Sequence, residues 1–124
     1  MARMKEQELS LRFPCWVIAD ERDEVLRRSP SVSVMQTDDK NIVQLFMEQD
    51  EAKRFITQAN LTGKAPFTIP SIQHLLGLVK HLQKGGVQQV HIFFPAKGGI
   101  SRADMGVEDF IKGLQDHLQK SQVD

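Results

Sequence analysis

At 124 residues, 40% hydrophobic and 26% charged, the chain fits one globular domain and excludes a pair of ordinary domains or a disordered polymer. Sixteen basic and sixteen acidic residues cancel to zero formal charge, so the basic surplus of a nucleic-acid-binding protein is missing, while neutrality leaves self-association open. A lone cysteine, Cys15, excludes an intrachain disulfide, and no apolar run reaches the roughly 20 residues of a bilayer span.

These features predict a single cytoplasmic domain over residues 1–124, with no membrane partner and with frayed ends at 1–11 and 119–124. The amino-terminal stretch carries Arg3 and Lys5 but then Glu6-Gln7-Glu8, where a secretory leader would be apolar. The first expected element is a strand over Phe13 to Ala19, apolar on both alternating sets and therefore covered on both faces. The polar run Asp20 to Glu24 reads as a solvated turn, followed by a short strand at Val25 to Arg27 and a break at Ser29-Pro30. Ser31 to Met35 alternates valines with serines, Asp38 to Asn41 supplies turn chemistry, and Ile42 to Met47 is the next strand. Connections this short require antiparallel pairing, so the opening third is expected to be an antiparallel meander.

Helices follow. From Asp50, read as a cap, Ala52, Phe55, Ile56 and Ala59 recur at helical spacing, and Gly63 marks the stop. Phe67 to Ile69 reads as a short strand. Pro70-Ser71 opens a second helix with Ile72, Leu75, Leu76, Val79 and Leu82 on one stripe, ended by Gly85-Gly86. Val87 to Pro95 alternates Val90, Ile92 and Phe94 and reads as a central or nearly central strand. A loop is expected over Ala96 to Gly106, then a third helix with Val107, Phe110, Ile111, Leu114 and Leu118 inward. The predicted architecture is α+β (or α/β): a single mixed sheet with an N-terminal antiparallel meander, packed by three amphipathic helices.

Two stretches together, IVQLFMEQDEAKRFI from Ile42 to Ile56 and LLGLVKHLQKGGVQQVHIFFP from Leu75 to Pro95, resemble the N-terminal domain of the SseB family of small bacterial proteins. The resemblance implies a compact α/β domain without an established catalytic activity, and it supplies no catalytic residue.

The strongest local candidate for a ligand site is Lys97-Gly98-Gly99-Ile100-Ser101-Arg102, placed between a buried strand and a helix. Glycines let backbone amides approach an anion, and Lys97 and Arg102 add positive charge. The spacing matches neither dinucleotide-binding nor P-loop glycine patterns, and a surface turn is the competing reading. His74 and His81 lie two turns apart on one helix, about 10 Å by helix rise and too far to share an ion. His91 falls opposite in phase to Val90 and Ile92, and His117 stands alone, so no metal or other cofactor is expected. Cys15, beside Trp16 and Val17, reads as packing rather than as a nucleophile. Ser101 and Asp104 read as a short capping pair, and Phe93-Phe94 as core.

Two functional classes follow. One is a non-enzymatic protein-interaction or regulatory domain, with a protein partner or itself as the occupant of a sheet edge or helix face. The other is a domain binding an anionic small molecule through Lys97, Gly98, Gly99, Ser101 and Arg102, as a sensor or a weakly specified enzyme.

Overall fold

A strand enclosed on both sides needs apolar side chains at odd and even positions, and β1 (Cys15–Asp20) has them: Cys15, Val17 and Ala19 are buried, and so is the intervening Ile18. The computed structural model describes residues 11–26, 31–96 and 99–123. After β1 come α1 (Glu21–Leu26), β2 (Val34–Thr37), β3 (Lys40–Phe46), α2 (Gln49–Gln58), β4 (Lys64–Ile69), α3 (Ile72–Lys84), β5 (Gln89–Ala96), β6 (Gly99–Gly106) and α4 (Val107–Val123).

The strands form one mixed sheet in the order β4-β1-β3-β5-β6, with β2 paired to β3 off this path. The N-terminal strands are antiparallel as expected: β2 and β3 form a hairpin closed at Thr37 and Lys40, and β1 meets β3 at Trp16 and Phe46. Asp38 takes the left-handed conformation (φ 51°) that this tight turn requires. The parallel pair β3–β5 needs a long crossover, supplied by α2, β4 and α3.

Register sorts the side chains onto two faces. One carries Cys15, Val17, Val43, Leu45, Val90 and Ile92 and is covered by α3, through Leu75 and Val79, and by α4, through Phe110 and Leu114. The other carries Trp16, Ile18, Phe46 and Phe93 and is covered by α2 through Ala52, Phe55 and Ile56. Thus two of the three apolar stripes share a face and the third stands alone. Phe55, Ile56 and Leu76 are half-buried, because each sits at the margin of its stripe. Under α3 and α4 a void of about 10 Å³, lined only by apolar side chains, has room for no more than a single water. That layer is core, with no ligand pocket of the usual size at this position.

Three sequence expectations need correction. The turn at Asp20 to Glu24 and the strand at Val25 to Arg27 are replaced by helix α1 as far as Leu26, with Arg27 outside the described residues. The cause is local. Asp20 Oδ1 accepts the Arg22 amide at 2.9 Å, which starts the turn and holds the Asp20 carboxyl below its ordinary pKa. Asp23, expected in solvent, is buried and accepts the Ser31 amide at 2.7 Å.

Second, the N-cap of α2 is Glu48, and Asp50 lies within the first turn, where its negative charge favours the positive end of the helix dipole. Third, the loop over Ala96 to Gly106 is mostly strand β6. Ser101 and Asp104 therefore lie within a strand and do not cap a turn, and α4 begins only at Val107. In α4 the helix continues through Gln119 to Val123, past Leu118, the last residue of its apolar stripe.

Candidate functional site

β5 and β6 pair antiparallel from Gln89–Gly106 to Ala96–Gly99. Because β3 meets β5 only as far as Phe93, the distal part of this hairpin extends past the rest of the sheet. Alternation then separates the residues of the candidate anion site. Ser101 pairs with Phe94 and shares a face with Ala103 and Met105, which pack on the α3–α4 core; Arg102 pairs with Phe93 on the opposite face. Gly99 is exposed, with a left-handed φ of 145° at the start of β6. Lys97 and Gly98 lie outside the described residues. Thus Ser101 and Arg102 point away from one another across the sheet.

The cation of Arg102 is also engaged. Its Nε lies 2.8 Å from Asp104 Oδ1 and its Nη2 donates to Oδ2 at 3.0 Å, a two-point contact between neighbours on one face of the strand. Asp104 in turn lies 3.7 Å from His91 Nε2, and register places Gln44 on the far side of His91. Gln44, His91 and Asp104 thus form a polar row across β3, β5 and β6. It runs from Gln44, 3% exposed, to Asp104 at the sheet edge, whose side chain is 40% exposed. Gln44 Nε2 is buried with no hydrogen-bond partner among the described residues, as is Trp16 Nε1 on the same face. Beside this row lies an aromatic one, Trp16, Phe46 and Phe93, with Phe46 and Phe93 stacked at 4.9 Å.

Sequence reasoning did not assemble this row. Its members come from three separate strands, and the one local signal was the phase of His91 relative to Val90 and Ile92. Burial pushes the His91 pKa below its ordinary value; Asp104 pulls upward and Arg102 downward. A depressed pKa means that the fold favours neutral imidazole. The corresponding stability is present above the unfolded value of 6.5 and is lost as pH falls through the folded value. Urea titrations at about pH 7.5 and about pH 5.5 are expected to show a larger acid loss in wild type than in His91→Gln. Equal losses would assign the acid sensitivity to other groups.

The other candidates stay apart. His74, His81 and His117 are exposed, and the Ser71 Oγ that caps α3 lies 2.6 Å from His74 Nδ1. Among the described residues, no three His, Cys, Asp or Glu side chains are grouped to hold a metal ion. No described helix is long and apolar enough to cross a membrane.

The two ends of the sheet differ. β4 carries Pro66, which has no amide to donate, and it packs against α1 and α2. β6 is eight residues long, contains no proline, and among the described residues pairs on one side only. Comparison with protein families and with curated proteins finds no match for this chain.

Proposed function

We propose that the chain is a protein-interaction domain that receives an extended segment of a polypeptide along the outer edge of β6. The observation that carries this reading is the contrast between edges: β4 is blunted by Pro66, whereas β6 presents an unbroken strand terminating the sheet order. Strand addition draws affinity from main-chain hydrogen bonds and specificity from alternate side chains. Here those are Arg102 and Asp104 on one face and Ser101 and Met105 on the other.

Among the described residues, the exposed large apolar side chains, Leu26, Val34 and Ile100, sit on three different elements, so backbone rather than an apolar patch directs docking. The stretches that resemble the SseB family form β3 running into α2, and α3 passing through Gly85-Gly86 into β5. A resemblance that brings no catalytic residue agrees with a binding role.

A photoreactive amino acid at Ile100, on the edge strand, is expected to yield a discrete covalent adduct with a polypeptide in cell extract. The same group at the exposed Gln73 of α3 is expected to yield none. Absence of any adduct from position 100, or equal labelling from both positions, would overturn the reading.

A further inference from the structure

We infer that the segment received by β6 is the β6 strand of a second copy of this chain, paired antiparallel about Ala103. This rests on the reading of β6 as a docking edge and names its occupant. A two-fold axis perpendicular to the sheet keeps each face continuous across the new pair, so only registers that match like faces are allowed.

Centring the pair on Ala103 sets Arg102 opposite the partner's Asp104 and Asp104 opposite the partner's Arg102. A centre on Arg102 would oppose two arginines, and a centre on Asp104 two aspartates. Opposite charges directly across a ladder stabilise and like charges destabilise, so electrostatics selects one register. The rest of the strand agrees. Ile100, 41% exposed, falls opposite the partner's Gly106, which has no side chain to obstruct it. Ser101 falls opposite the partner's Met105. The chain's zero net charge adds no long-range repulsion between copies.

Charge reversal tests the register. Arg102→Asp makes the edge all acidic, and Asp104→Arg makes it all basic. By sedimentation equilibrium, wild type is expected to dimerise, each variant alone to bind itself at least about tenfold more weakly, and their equimolar mixture to recover wild-type association. A wild type that stays monomeric overturns the inference, as does a dimer indifferent to both reversals.

If either reversed chain fails to fold by circular dichroism, oxidation of mixed Arg102→Cys and Asp104→Cys chains reads the same register. From equimolar chains the mixed disulfide should then exceed the sum of the two like disulfides, and the random proportion, in which it equals their sum, would overturn the inference; the buried Cys15 does not compete. The photoreactive Ile100 separates the two levels. Adducts with another polypeptide and none between copies leave the docking edge standing and remove the dimer, whereas no adduct at all removes both.

Discussion

Replacing Phe110 by alanine is expected to lower the free energy of unfolding by about 3 to 5 kcal/mol. Phe110 is 0% exposed and stands where α4 meets α3 and the sheet, in one cluster with Val17, Leu45, Val79 and Val90. Truncation removes the transfer energy of the ring and leaves a cavity beside a void that already exists there. Backbone strands and helices bound the space, so little collapse can refill it. A whole domain of this kind is stable by only about 5 to 15 kcal/mol, and the loss is a large share of that. Urea titration at constant m-value measures it. A loss below about 1 kcal/mol would make α4 a peripheral element.

The second large effect concerns Cys15. It is 0% exposed in β1, and burial pushes its thiol up to about 12 from an ordinary value of 9.0. The thiolate fraction at neutral pH then falls about a thousandfold below that of a free thiol, before any steric exclusion is counted. Labelling by a disulfide reagent is expected to be slow until denaturant exposes β1, after which it should be rapid. Fast labelling of the native protein would place the thiol at the surface.

The same shift bears on alkaline stability. The folded state keeps a proton that the unfolded chain releases above about pH 9, so this contribution is complete below that point. It declines as pH rises toward about 12, by at most about 1.4 kcal/mol per pH unit. With no tyrosine in the chain, phenol ionisation does not overlap this window. Cys15→Ala is expected to flatten the decline, and an unchanged slope would assign it to the lysines.

What could be read directly were the elements whose signal is periodic and local. The stripe Leu75, Val79, Leu82 and the stripe Phe110, Ile111, Leu114 repeat at helical spacing, and Val90 and Ile92 alternate. Each pattern is complete within one element, so α3, α4 and β5 were legible along with the single mixed sheet. α1 was not, because six residues make too short a stripe; Asp20 and the burial of Asp23 against Ser31 decide it. β6 was hidden because its inward residues, Ser101, Ala103 and Met105, are small or half-buried and its ends are glycines, which read as a loop.

The sequence by itself determined which residues are apolar, with what period, and hence the core and the fold class. The tertiary structure alone decided which strands lie side by side, since pairing is a long-range choice among compatible edges. That choice put Gln44, His91 and Asp104 in one row, turned Ser101 and Arg102 to opposite faces, and left β6 rather than Pro66-bearing β4 as the open edge.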